Sequence, residues 1–311
     1  MCAEFLSRFE VPEAAFGVID EIVNAEERLL LEALESESFS ASDAAAALRK
    51  ATGRGHSRQK IGALLQSAYR RGVLSLIDDS FTQFRTGTFY GRLDVFVITE
   101  PQAYNAFPKE TRQALDAWYF SAYLNRLDRE ALRPTEDRVA TLTETLAFLD
   151  TVTEKIWLNR CDCRTLKGSC AHPADTCISF RNGINTMSHR GWSKPLTKEQ
   201  AKDVVRRADE AGLVHTVNPH TICNCCNDCC YLFRAQAARN SLPHWPASYS
   251  VARYDAEACI GCGVCVERCP FDAFTMQDGN VALDASLCRG CGLCGNTCPT
   301  GAITIIGREA T

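Results

Sequence analysis

Eight cysteines stand in two matching runs between residues 251 and 311. The first is Cys259-Ile-Gly-Cys262-Gly-Val-Cys265-Val-Glu-Arg-Cys269-Pro270, and the second is Cys288-Arg-Gly-Cys291-Gly-Leu-Cys294-Gly-Asn-Thr-Cys298-Pro299. Each has the C-x2-C-x2-C-x3-C-P spacing with which thiolates hold a cubane 4Fe–4S cluster. Three cysteines at i, i+3 and i+6 on a tightly coiled loop face three irons of one cube. The proline beyond the fourth turns that thiol towards the neighbouring cube. The expected ligand sets are therefore Cys259, Cys262, Cys265 and Cys298 for one cluster, and Cys288, Cys291, Cys294 and Cys269 for the other. Gly261, Gly263, Gly290 and Gly292 suit backbone bent closely around inorganic sulfide, where a side chain would collide. A double zinc ribbon is the alternative. It closes with four ligands per metal and gives no role to a third and fourth cysteine plus proline in both copies.

The two runs are also an internal repeat. Cys269-Pro-Phe-Asp-Ala-Phe-Thr-Met276 answers Cys298-Pro-Thr-Gly-Ala-Ile-Thr-Ile305, each a turn leading into a short strand. On these residues the segment resembles the two-cluster bacterial-type ferredoxins, which implies an electron-transfer module with two 4Fe–4S clusters.

Nine further cysteines lie upstream: Cys161, Cys163, Cys170 and Cys177, then Cys223, Cys225, Cys226, Cys229 and Cys230. Between the groups come a helix capped at Thr197-Lys-Glu-Gln200 and the strand-like Gly212-Leu-Val-His-Thr216. Either group could close a local site alone, so the split implies a fold that brings both together, with at least one site drawing on each. Thiolates crowded as Cys225-Cys226 and Cys229-Cys230 repel unless several metal charges lie nearby. One or two further iron–sulfur clusters are the expectation, cubane or non-cubane. Zinc is the alternative, since four-thiolate zinc uses similar pairs. Arg164, directly after Cys163, is placed to tune a cluster's potential with its charge. His215 and His220 are read as hydrogen-bonding residues rather than ligands.

The order C-x-C-R…C…C, a helix leading to G-L-V-H, and I-C-N-C-C-x-x-C-C ahead of a ferredoxin module resembles a family of iron–sulfur proteins with a winged-helix-like start. The resemblance covers most of residues 130 to 311 and, more loosely, the first 100. It implies that the middle cysteines bind metal. Where family members often have small residues, this chain has Asn227-Asp228.

Eighteen cysteines in 311 residues are the outlier in an ordinary composition, 46% hydrophobic and 23% charged with a formal net charge of −4. That balance gives no general attraction to nucleic acid or to an anionic membrane. Met1-Cys2-Ala3-Glu4-Phe5 shows no basic or apolar leader, and no run approaches the roughly 18 apolar residues of a membrane span. The expectation is a cytoplasmic protein, where cysteines so spaced are metal ligands rather than disulfides. Cys2 is an isolated thiol.

Upstream, apolar positions from Ile19 to Leu34 recur at helical spacing. Ser40 to Asp43 caps a second helix, Ser57 to Arg71 forms a third that ends at Gly72, and Val73–Ile77 with Phe81–Phe84 forms a hairpin. That is a winged-helix order. Arg49, Lys50, Arg54, Arg58, Lys60, Arg70 and Arg71 suit phosphate contacts, although residues 1–100 hold 11 basic against 15 acidic side chains. Lys109 to Glu130 reads as a helix with an aromatic face broken at Pro134, and Leu142 to Val152 as another.

The expected architecture is α+β and multidomain. A winged-helix-like domain spans residues 1–95, a helical connector 96–155, a cysteine-rich α/β metal-binding domain 156–250, and a two-cluster ferredoxin domain 251–311. The expected function is electron transfer through several 4Fe–4S clusters, to or from a partner oxidoreductase. Two alternatives stand beside it: a redox-sensing regulator that binds DNA through the winged helix, and an oxidoreductase whose active site is a middle-domain cluster.

Overall fold

The computed structural model describes residues 3–130 and 136–308. Cys2, Pro134 and Glu309 lie outside them. The chain forms two compact units. One comprises residues 1–126, 165–167 and 182–193, and the other residues 127–164, 168–181 and 194–311.

In the first unit α1 (Ala3–Arg8) and α2 (Ile19–Ile22) precede α3 (Ala25–Ala33), β1 (Ser38–Ser40), α4 (Ala41–Thr52), α5 (Arg58–Arg70), β2 (Leu74–Leu76) and β3 (Gln83–Thr86). Then come α6 (Phe89–Thr99), α7 (Pro101–Asn105) and α8 (Lys109–Glu130). The apolar run from Ile19 to Leu34, expected as one helix, is broken at Asn24. Its side chain accepts from the Glu27 N–H while the Glu27 carboxylate accepts from the Asn24 N–H, so a capping box starts α3 afresh. The three strands pair in the order β1-β3-β2. Helix α6 escapes a periodicity reading because it is apolar on most sides, burying Phe89, Leu93, Val95, Phe96 and Val97. Asn185, from the 182–193 segment, pairs its carboxamide with the Leu76 N–H and C=O at 2.8 and 3.0 Å, and so covers the open edge of β2.

The second unit begins with β4 (Arg138–Ala140), α9 (Leu142–Thr151), β5 (Ile156–Arg160) and α10 (Asp162–Lys167). These are followed by β6 (Asp175–Ser179), β7 (Lys194–Leu196), α11 (Lys198–Glu210), β8 (Val214–Asn218), β9 (Thr221–Cys225) and α12 (Tyr231–Arg239). Six strands form one antiparallel sheet in the order β4-β8-β9-β6-β5-β7. Strand periodicity of two decides what each face carries. Val217, Ile222 and Ile178 pack with Leu149 of α9 and with Ala201, Val204 and Val205 of α11 in a core that contains no cysteine. Cys177, Cys223 and Cys225 occupy the alternate positions of β6 and β9, and so point away from that core. The tail adds β10 (Ser250–Tyr254), α13 (Val264–Arg268), β11 (Phe274–Gln277), β12 (Asn280–Leu283), α14 (Leu293–Thr297) and β13 (Ile303–Gly307), with β10 paired to β13 and β11 to β12. No described helix is long and apolar enough to cross a membrane.

Candidate metal centres

Each C-terminal cysteine run coils tightly and then enters a one-turn helix, α13 or α14, with a left-handed glycine, Gly263 or Gly292, at its N-cap. The coil brings three thiols of a run to one cavity, and the fourth crosses over. Cys259, Cys262, Cys265 and Cys298 line one cavity together with Tyr254 and Ile303. Cys269, Cys288, Cys291 and Cys294 line the other with Phe271, Phe274 and Gly290. Backbone amides already face these sulfurs: Gly261 N–H donates to Cys259 Sγ at 3.3 Å, Gly290 N–H to Cys288 Sγ at 3.4 Å, and Ala252 N–H to Cys288 Sγ at 3.3 Å. Gly290 has no room for a side chain, since a Cβ there would stand 2.2 Å from the Ser250 carbonyl oxygen. Four thiols around one space, with N–H donors aimed at sulfur, fit a cluster whose irons each take one thiolate. Residues 252–305 match the 4Fe-4S dicluster domain family. Comparison of the chain with curated proteins finds no match.

The two cavities of the dicluster domain differ in exposure. Cys288, Cys291 and Cys294 are buried, whereas Cys262 is exposed and Cys259 and Cys298 are half-buried. Burial pushes the Cys294 thiol up to about 12 and raises Cys291 further, as expected when a charged form loses water. Arg289 stands over the Phe271 ring at 4.1 Å and donates to Gln236 at 2.9 Å. It places a cation beside the inner cavity, a role that nothing in its local sequence signals.

The middle cysteines come together from both sides of α11 and sort into two groups. Six form a closed ring of hydrogen-bonded sulfurs, running Cys161, Cys163, Cys230, Cys225, Cys223, Cys177 and back to Cys161. Cys161, Cys223 and Cys230 each accept from two neighbours and are held well below the usual thiol range. Cys163, Cys177 and Cys225 donate and are pushed well above it. Thiols so crowded repel one another once ionised, and metal cations would offset that repulsion. Its members come from one sheet face (Cys177, Cys223, Cys225), from the start of α10 (Cys161, Cys163) and from the N-cap of α12 (Cys230). Thr216 Oγ1 lies 3.7 Å from Cys225 Sγ at the ring's edge.

The other three thiols form a separate group. Cys170 Sγ lies 3.7 Å from Cys226 Sγ and 3.6 Å from Cys229 Sγ, with Asp228 alongside. Cys226 is held down to about 7, chiefly by a hydrogen bond from Cys229, against burial and with help from Arg164. Arg164 is buried. Its guanidinium donates to the Asn224 and Pro173 carbonyl oxygens at 2.8 and 2.5 Å and to Thr176 Oγ1 at 3.2 Å. It therefore lies where its charge acts on Cys161 and Cys177 of the ring and on Cys226 of the triad. His215 belongs to the sheet, with Nδ1 2.6 Å from Asn224 Oδ1. His220 caps the β8–β9 turn, its N–H donating to Asn218 Oδ1 at 2.8 Å. His189 is tied to the Tyr69 hydroxyl at 2.6 Å in the first unit.

The ring and the inner dicluster cavity share a wall. Cys225 and Cys230 pack in one apolar cluster with Val214, Phe233, Phe271, Cys291 and Leu293. The Phe233 and Phe271 rings meet edge to face at 5.0 Å. Polar contacts seal the rim. Arg268 donates to the Glu210 carbonyl oxygen at 2.8 Å, and Asn296 donates to the Asp209 carboxylate at 3.2 Å.

Proposed function

We propose that the chain is an iron–sulfur electron-transfer protein in which the six-thiol ring holds a third, polynuclear cluster. One observation carries this reading: the shared apolar wall, in which ring thiols Cys225 and Cys230 and dicluster thiol Cys291 belong to one packed cluster. A closed ring of six thiols is wider than the four-donor shell of one ion, so its core is polynuclear and of non-cubane type. Bound clusters supply one-electron chemistry at potentials set by charge, hydrogen bonding and burial.

The protein's own groups have assignable parts. Cys259, Cys262, Cys265 and Cys298 hold the outer dicluster site, and Cys269, Cys288, Cys291 and Cys294 the inner one. Phe233 and Phe271 exclude water between the inner site and the ring. Arg289 and Arg164 raise the local potential by adding positive charge beside the inner site and the ring. Exposed Cys262 and Ile260 make the outer site the partner-facing end. A redox partner protein docks there, and a partner oxidoreductase supplies any substrate chemistry.

Residues 25–86, with α3, β1, α4, α5 and the β2–β3 hairpin, make a winged-helix docking module in this reading. Four of the seven basic side chains between residues 49 and 71 are occupied within the unit, which disfavours a phosphate-binding face. Lys50 pairs with Glu35, Lys60 with Glu26, and Arg71 with Glu27 and Glu100, while Arg70 donates to the Arg190 carbonyl.

Stepwise anaerobic reduction followed by EPR tests the proposal. Signals from more than two interacting clusters are expected. A spectrum fully accounted for by two clusters, unchanged in Cys223→Ser, contradicts it.

A further inference from the structure

The geometry points to a separate mononuclear zinc site formed by Cys170, Cys226 and Cys229, with Asp228 as the fourth donor. The inference rests on the reading that the middle cysteines bind metal, and it gives these three a different metal from the ring.

Sulfur spacing separates a single ion from a cubane, and the number of thiols, three against six, separates this group from the ring. A single ion with metal–sulfur bonds of about 2.3 Å holds its thiolates about 3.8 Å apart at the corners of a tetrahedron. A cubane holds them about 6 Å apart, because each thiolate binds a different iron. Cys170 lies 3.7 Å from Cys226 and 3.6 Å from Cys229. One carboxylate oxygen of Asp228 falls within 4.8 Å of all three sulfurs. Its side chain is exposed, so rotation about its own bonds brings it to the fourth corner. Among the described residues, the dicluster thiols form no such close group.

The local backbone fits the same assignment. Cys226-Asn-Asp-Cys229 is a C-x2-C pair of the kind zinc sites use, and zinc accepts mixed sulfur and oxygen donors. Main-chain N–H groups of His172, Ser169 and Cys229 donate to Cys170, Cys229 and Cys226 respectively, so each sulfur has a fixed amide partner. Three thiolates and a carboxylate around a divalent ion leave a negative site, and buried Arg164 beside Cys226 offsets part of that charge. Cys226 and Cys229 pack with Ala208 and Leu213 apart from the ring, which keeps the two centres distinct.

The test is zinc and iron analysis of the full-length, anaerobically isolated chain, comparing wild type with Cys170→Ser/Cys229→Ser and with Asp228→Ala. The wild type is expected to hold about one zinc in a four-donor site, and the double variant close to none, with iron unchanged. In Asp228→Ala, zinc loss to a chelator is expected to quicken by at least about tenfold, since even outer partners of a metal site are worth about 10–100-fold. Iron that falls in the double variant overturns the assignment, as does a wild-type chain that neither holds zinc nor takes it up. Should the double variant fail to fold, Asp228→Ala decides, because its side chain is exposed; zinc release at the wild-type rate overturns the four-donor site. If the ring itself holds zinc, the total rises but the double variant still removes one, so the two readings fail independently.

Discussion

The dicluster thiols line cavities in a segment whose own apolar core includes several of them, with Cys265, Cys288 and Cys294 packed beside Ala252, Ala273, Phe274, Val281 and Ile303. Of the middle thiols, Cys177, Cys223 and Cys225 instead stand on one face of a six-stranded sheet whose other face packs a cysteine-free core against two helices. In the first region the thiols are part of the interior, and in the proposed reading a bound cluster is the element the chain folds around. In the second, the fold is established by aliphatic packing and the thiols are presented by it. In the proposed reading, one region depends on metal for its order, and the other uses order to gather its thiols.

Removing metal draws the sharpest line between the two. After anaerobic chelation, amide exchange measured by mass spectrometry should lose protection throughout residues 251–308, because ligation supplies that segment's folding energy. Strands β8 and β9 should keep theirs. Equal loss in both regions would erase the distinction.

Single substitutions sharpen it further. Gly290 has φ +66° and a Cβ there would meet the Ser250 carbonyl at 2.2 Å, so Gly290→Ala should cost more than about 3 kcal/mol and remove the inner cluster's iron. Gly263 has φ +76° and open space around it, so Gly263→Ala should cost only about 1 kcal/mol of left-handed strain and retain iron. Anaerobic denaturation with iron assay compares the pair. Ile222→Ala, in the aliphatic core, should cost about 3 kcal/mol through cavity formation. The dicluster iron should remain. Loss of that iron from the Ile222 variant would mean that the sheet core and the dicluster site are not separable.

How much of this was legible depended on how local each signal is. Within each run the dicluster thiols sit two or three residues apart, so spacing alone grouped Cys259, Cys262 and Cys265 with Cys298, and the four line one cavity. The capped helices at Ser40 and Thr197 were likewise visible, because a cap is a local signal of a few residues. The division of nine middle cysteines into six and three was not. It depends on strand register: Thr216 opposite Cys223 and Ile178 opposite Ile222 fix which face each thiol takes. The alternation Cys223-Asn-Cys225 held part of that information, but nothing local separates Cys225 from its neighbour Cys226. Asn227-Asp228 stood out in the sequence, but nothing local showed that the Asp228 carboxylate lies beside Cys170, Cys226 and Cys229. Helix α6 was missed for another reason, being apolar on too many sides to show a period.

The smallest expected effect concerns docking. Residues 251–311 contain seven acidic side chains against four arginines, with Glu309 counted from sequence alone. Charge of that sign steers a basic redox partner, so the rate of association with such a protein should fall as salt rises. A salt-independent rate would remove charge from the account of this surface.

The most direct test of the central claim is iron and acid-labile sulfide per chain in anaerobically isolated protein, with and without Cys223→Ser. Two cubanes supply about eight irons. A third cluster in the ring predicts a total clearly above eight with matching sulfide, and a return to about eight when Cys223 is replaced. A wild-type chain with about eight irons, unchanged by the substitution, would show that the ring holds no iron–sulfur cluster.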